Sequence, residues 1–193
     1  MEKDANLKTH LEELIQLSET EFKYISSHFH LKTLKKNQSL IQVDDSVEHT
    51  YFVKKGLLKA VYTDENGKEH ILQFAMENWW ITDYQSYFTK TKAILAVICL
   101  ENVELLALSY NDREKLCREF HSLDFFFRKK ANSGYLALQK RMLMFLVYDT
   151  KSRYELLLSQ YPSLYQRVSK SIIAAYLGVS RETLSRLDKK KVL

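Results

Sequence analysis

At 193 residues, 46% of them apolar, the chain has material for one large domain or two small ones with real cores. Its 29 basic and 24 acidic residues leave a net charge of +5, and four glycines with one proline exclude low-complexity linkers. The polar start MEKDANLKTH lacks a signal-peptide pattern, the longest apolar run, Ala93–Leu100, is too short to span a bilayer, and Cys99 and Cys117 lack metal or disulfide spacing. A cytoplasmic protein with no metal and no cofactor is the expectation.

Leu7, Leu11, Leu14 and Ile15 recur at helical spacing. Ser18 to Glu21 is a capping box opening a second helix, with Phe22, Ile25 and Phe29 inward. His28 and His30 have no third ligand in view and read as helix-end histidines, not a metal site. From Leu31 the period changes. Leu31–Leu34, Ser39–Val43, Tyr51–Val53, Leu57–Tyr62, His70–Phe74, Ile94–Cys99 and Val103–Leu108 are short and rich in β-branched and aromatic residues. Asp64 to Gly67 is a hairpin turn, since Asn66 and Gly67 tolerate positive φ, and Gly56 ends another strand in a turn. Strands at this spacing without intervening helices predict a small antiparallel β-roll in an α+β fold.

Helical period returns near Asn111, with Ser109 or Asn111 as the cap of a short helix through Leu116. A long helix over about 122–148 places Leu123, Phe127, Ala131, Gly134, Leu138, Met142 and Phe145 at alternating three- and four-residue steps, close to a coiled-coil seam. A further helix covers Arg153–Gln160, and Pro162 marks the edge of a C-terminal domain. The expected organisation is therefore 1–121, 122–149 and 150–193.

The segment Val168–Lys191 has the most specific spacing. Ser169 can cap a helix that Gly178 ends, and Ser180 can cap a second. Ile173, Leu177, Val179, Leu184 and Leu187 face inward, while small Ala174 permits a close, steep crossing. That is a helix-turn-helix. On the second helix Arg181, Glu182, Ser185 and Arg186 share one polar face in the first turns, the end that meets base edges in the major groove. Arginine grips guanine bidentately and glutamate accepts from the cytosine amino group. Residues 163–193 hold seven basic and two acidic residues, so the first 162 are neutral and the whole excess charge lies here. Lys189 and Lys190 fall where phosphate contacts need them.

Val168–Leu187 resembles, without a gap, the DNA-binding segment of the Crp/Fnr family, the cyclic-AMP receptor protein and its relatives. The run Ser180-Arg181-Glu182-Thr183 followed by Arg186 is similar to that family's recognition-helix signature. The resemblance implies Arg181, Glu182 and Arg186 as base readers, with Ser169, Lys170, Ser180 and Thr183 near phosphates. It also implies a cyclic-nucleotide-binding-like roll, a homodimer formed through the long helix, an inverted repeat in double-stranded DNA, and RNA polymerase as a candidate partner.

Two departures qualify it. The family holds a nucleotide phosphate with a Gly-Glu loop and a following arginine, yet no glycine or arginine lies between Phe74 and Leu95. Trp79, Trp80 and Tyr84 stand there instead, as candidates for the pocket of an unidentified small-molecule effector. The family's β-hairpin wing after the recognition helix has no counterpart before Leu193. With no phosphate-cradling loop, ligand set or nucleophile elbow, an enzyme is not expected. The competing class is a sensing module of the same fold that has lost DNA binding.

Overall fold

The computed structural model describes residues 4–189. Two short helices, α1 (Ala5–Glu12) and α2 (Glu19–Ser26), open the chain. The capping box forms as expected: Glu21 N donates to Ser18 Oγ and Ser18 N donates to the Glu21 carboxylate at 2.8 Å. Eight strands follow: β1 (Phe29–Leu34), β2 (Ser39–Ile41), β3 (His49–Lys55), β4 (Leu58–Thr63), β5 (Glu69–Ala75), β6 (Trp80–Ile81), β7 (Ala96–Cys99) and β8 (Val103–Ser109). They form two four-stranded sheets, β1-β8-β3-β6 and β2-β7-β4-β5. Helix α3 (Tyr84–Thr89) interrupts the series between β6 and β7. Both α3 and the two-residue β6 escape a strand-period reading, because each is too short to show a period. Phe29, expected on the second helix, opens β1 instead.

The alternation of side chains builds two cores from one sheet. Tyr51, Val53, Leu105 and Ala107 point between the sheets, where they meet Leu58, Ala60 and Val97. Phe52, Leu106 and Leu108 point the other way, against Leu7 and Leu11 of α1 and Phe22 and Ile25 of α2. Gly56 supplies the turn after β3 with φ +96, and a Cβ there would lie 2.5 Å from Asn102 O. Only glycine fits. Both thiols are free: Cys99 is buried on β7, and Cys117 is half-buried on the helix after β8.

That helix is α4 (Tyr110–Glu119), capped by Ser109, and the long α5 (His121–Val147) follows it. Then come α6 (Thr150–Gln160), α7 (Pro162–Arg167), α8 (Lys170–Leu177) and α9 (Arg181–Lys189). The packing separates two units. One takes the described residues up to Tyr62 with Gln73–Ala131, and the other takes Thr63–Leu72 with those from Asn132 on. The division falls inside α5, not ahead of it, because Leu123, Phe126 and Phe127 in its first turns are buried in the second core of the roll.

That second core contains one polar device. His10 is 5% exposed, with its ring 5.1 Å from that of Phe52 and edge-on to Phe126. The Trp80 indole N–H donates to His10 Nε2 at 3.3 Å, so a neutral His10 carries its proton on Nδ1, which lies 3.4 Å from Glu13 Oε1. Glu13 in turn accepts from Lys130 of α5 at 3.1 Å. Burial, then the Lys130 charge, hold the imidazole below its ordinary pKa of 6.5 against the opposing pull of Glu13. Protonating Nε2 would set two donors face to face. The unfolded chain therefore binds this proton first as pH falls below about 6.5, and the folded state loses stability down through the depressed value. We expect the urea midpoint to drop between pH 7.5 and 5.5 and the drop to be smaller in His10→Gln, whose amide oxygen still accepts from Trp80. His49, also lowered by burial, titrates in both proteins and cancels in the comparison. Equal drops would refute the assignment to His10.

Candidate nucleic-acid interface

Helix α8 begins where its sequence says it must, with Ser169 Oγ accepting from Ile172 N at 3.4 Å. It ends at Gly178, which takes φ +70 and returns its N–H to the Ala174 and Ala175 carbonyls. Ser180 Oγ then accepts from Thr183 N at 3.2 Å and starts α9. Ile173, Ala174, Leu177 and Leu184 are fully buried, as the inward pattern requires. The outer face of α9 gathers Arg181, Glu182, Ser185 and Arg186 around one shallow, open depression. Arg181, Glu182 and Arg186 are exposed, and Ser185 is half-exposed beside them. Glu182 is held ionised, first by its own backbone N–H at the helix start and then by the Ser180 hydroxyl, with Arg181 and Arg186 adding to the effect. The site therefore offers two fixed cations and one acceptor.

Ser169, Lys170 and Ser180 lie exposed around the turn, while Thr183 shares a hydrogen bond of 3.1 Å with Ser180 and is only half-exposed. Lys189 closes α9, and Lys190 lies outside the described residues.

The expected seam of α5 divides into three parts. Leu123 and Phe127, 1% and 9% exposed, are core residues of their own chain and are not available to a second helix. Ala131, Gly134, Leu138 and Met142 are exposed, and a Cβ at Gly134 would meet nothing within 4 Å. Phe145 turns toward the helix-turn-helix, where its ring would lie 3.2 Å from a Cβ at Gly178. Phe145 stays 42% exposed, and Tyr135, 68% exposed, and Leu146, 75% exposed, extend the open stripe beside it. The spacing from 135 through 138, 142 and 146 was the available signal, and it competes with 134, 138, 142 and 145 because both cover eleven residues in three steps.

Trp79, Trp80 and Tyr84 do not share a pocket. Trp79, just before β6, is packed against the core between the sheets, and Trp80, the first residue of β6, against the core under the helices. Tyr84 stacks on Phe88 at the surface, 6.1 Å between ring centres. The chemistry of this segment centres on a residue its sequence did not advertise, Asp83. It is 1% exposed, and its carboxylate accepts from Ser86 N at 3.2 Å, Ile94 N at 2.9 Å and Leu95 N at 3.0 Å. Backbone N–H groups that could receive an anion are thus taken by the chain's own carboxylate. The nearby cations are engaged too: Lys90 Nζ sits 3.4 Å above the Tyr110 ring, and Lys92 Nζ donates to Ser46 at 3.1 Å. Among the described residues no cluster of three potential metal ligands occurs, and no helix is long and apolar enough to cross a membrane.

Residues 31–120 match the cyclic nucleotide-binding domain family. The transcriptional regulatory protein btr of Bordetella pertussis is 24% identical over 166 residues, 80% of this chain and 67% of that protein. Among solved structures, FixK2 from Bradyrhizobium japonicum superposes with a TM-score of 0.74 at 15% identity, covering 84% of this chain and 83% of the other. A transcriptional regulator of the Crp/Fnr family from Eubacterium rectale gives 0.67 at 15% identity, covering 89% and 82%. In chain order, a β-roll of the cyclic nucleotide-binding class is followed by a long helix and a helix-turn-helix. The chain is similar to these regulators in fold, and its residues 31–120 form a cyclic nucleotide-binding domain.

The turn between α8 and α9 makes a stability prediction. Gly178→Ala forces a side chain into a left-handed conformation, worth about 1–2 kcal/mol, and against the Phe145 ring. Gly67→Ala carries the same backbone cost at φ +76, with nothing within 4 Å of the new methyl. Urea denaturation should show the larger loss for Gly178→Ala, and equal losses would mean the Phe145 contact is inconsequential.

Proposed function

We propose that the protein is a cytoplasmic, homodimeric, sequence-specific DNA-binding transcriptional regulator, with no enzymatic activity of its own. The carrying observation is the face of α9, where Arg181, Glu182, Ser185 and Arg186 converge on a capped helix within the 163–193 segment that holds the chain's excess positive charge. Arg186 and Glu182 suit a G·C pair, Arg181 a neighbouring guanine, and Ser169, Lys170, Ser180, Thr183, Lys189 and Lys190 the flanking phosphates. The exposed apolar stripe of α5 from Ala131 to Leu146 supports a dimer, because a stripe of this length left in water is unfavourable and a second α5 matches its period. One short recognition helix gives little affinity, and two acting together give the usual operator geometry. RNA polymerase enters as the partner a promoter-bound regulator of this family would have. The similarity to cyclic nucleotide-binding domains does not bring their ligand with it, since Asp83 presents a carboxylate where a phosphate would need those N–H groups. An effector, where one exists, is of another chemistry.

Selection from a random duplex pool tests the DNA assignment. The recovered sequence should be an inverted repeat with half-site centres about 34 Å apart. Arg186→Ala or Glu182→Gln should cost about 1–3 kcal/mol and relax preference at one base pair, while Lys190→Ala weakens all duplexes alike and flattens the salt dependence. If Arg186→Ala and Lys190→Ala leave the selected sequence equally unchanged, α9 does not read bases.

Sedimentation tests the dimer. The wild type should be dimeric at micromolar concentration, with Leu138→Glu and Leu146→Glu monomeric and Leu123→Val still dimeric. Calorimetry with cyclic AMP and cyclic GMP should give no micromolar binding, and a saturable micromolar isotherm would overturn the role given to Asp83.

A further inference from the structure

We propose that Arg141 is the positioning residue that sets the direction of the recognition helix, holding the helix-turn-helix and the β4–β5 hairpin to α5 through one guanidinium. The inference rests on the DNA-binding function proposed above and names a residue outside the reading face.

Arg141 Nη2 donates to two main-chain carbonyls that are far apart in sequence, Ile71 O of β5 at 2.8 Å and Tyr176 O of α8 at 3.0 Å. Its guanidinium lies 3.6 Å from the centre of the Tyr176 ring, a stacking distance. Tyr176 O belongs to the last turn of α8, whose carbonyls have no following helical N–H and carry the negative end of the helix dipole. A cation belongs there. A planar one that stacks while it donates is fixed in orientation as well as in position.

A second contact lies one turn further along α5. Phe145 sits against Gly178, with a hypothetical Cβ only 3.2 Å from its ring. The guanidiniums of Arg141 and Arg153 lie 5.1 Å and 4.9 Å from the Phe145 ring centre. The end of α8 and its turn are thus held at two points about 6 Å apart along α5. One point would leave a swivel, and two fix an axis. Because α9 starts at Arg181, directly beyond that turn, its direction follows from the clamp.

The function of such a clamp differs from that of a phosphate contact. Reading two half-sites requires both recognition helices at fixed spacing and angle, whereas general attraction to phosphates tolerates a swivelling head. Loss of the clamp should therefore lower specific binding more than non-specific binding. Lysine in place of Arg141 keeps the charge but loses the planar fork and the stack.

The test uses the full chain with Arg141→Lys and Arg141→Gln, measured on the selected duplex and on a scrambled one, beside sedimentation and circular dichroism. The expected result is a ratio of specific to scrambled affinity about tenfold lower in both, with the dimer and helix content intact and scrambled-duplex affinity of the lysine variant within about twofold of wild type. A ratio unchanged in Arg141→Lys overturns the proposal. If both variants fail to fold, Tyr176→Leu removes the stack and leaves the carbonyl. It should lower the ratio by about threefold, and no change there overturns the proposal equally. If the wild type prefers no duplex, the DNA assignment itself falls, and amide exchange judges the clamp alone. Arg141→Lys should then speed exchange in 70–72 and 176–180 but not in 121–131, and unaltered exchange in all three refutes it.

Discussion

Strands β3 and β8 bury side chains on both faces, and most of the roll depends on that pairing. They run antiparallel in register from His49 opposite Ser109 to Val53 opposite Leu105, and the register shifts before Lys55 pairs with Glu104. Val53 and Leu105 fill the space between the sheets, while Phe52, Leu106 and Leu108 form a second apolar surface on the other side. A four-stranded sheet with only one apolar face would have no use for α1, α2 and the first turns of α5. With two, those helices have somewhere to go, and each fully buried side chain contributes about 1.5–3 kcal/mol by leaving water. The Trp80–His10 hydrogen bond sits on this second surface and ties the edge strand β6 to α1.

The positions legible in the sequence were those where local chemistry and tertiary structure agree. Ser18, Ser109, Ser169 and Ser180 each cap the helix their spacing announced, and Gly56 and Gly178 take the positive φ their neighbours imply. The converging face of Arg181, Glu182, Ser185 and Arg186 was legible for the same reason, since a helix fixes which residues share a side. What could not be read depends on partners distant in sequence. Nothing near Asp83 signals that Ile94 and Leu95 will return their N–H groups to it. Nor does local sequence separate Trp79 from Trp80, which look like one aromatic pair until a two-residue strand sends them into different cores. The seam of α5 was misread only at its start: Leu123 and Phe127 have the right period, but a period names a face without saying what covers it.

The two ends of the chain treat charge in opposite ways. In the roll, polar groups are matched internally: Asp83 by three N–H groups, Lys90 by the Tyr110 ring, Glu13 by Lys130. Such matching resists a charged ligand, because any newcomer must displace a bond already made. On α9, Arg181 and Arg186 remain exposed at the rim of an open depression, and their hydrogen-bonding capacity faces solvent. The open, charged surface of α9 and the internally matched polar groups of the roll thus stand in contrast.

The setting of the two cysteines bears on the chemistry this regulator meets in a cell. Burial pushes the thiols of Cys99 and Cys117 up to about 11. At neutral pH only about one thiol in ten thousand is then ionised, and it is the thiolate that attacks peroxides and disulfides. Formation of a sulfenic acid or a glutathione adduct at either thiol is slowed accordingly. Cys99 and Cys117 are thus poorly suited to serve as redox-sensing thiols.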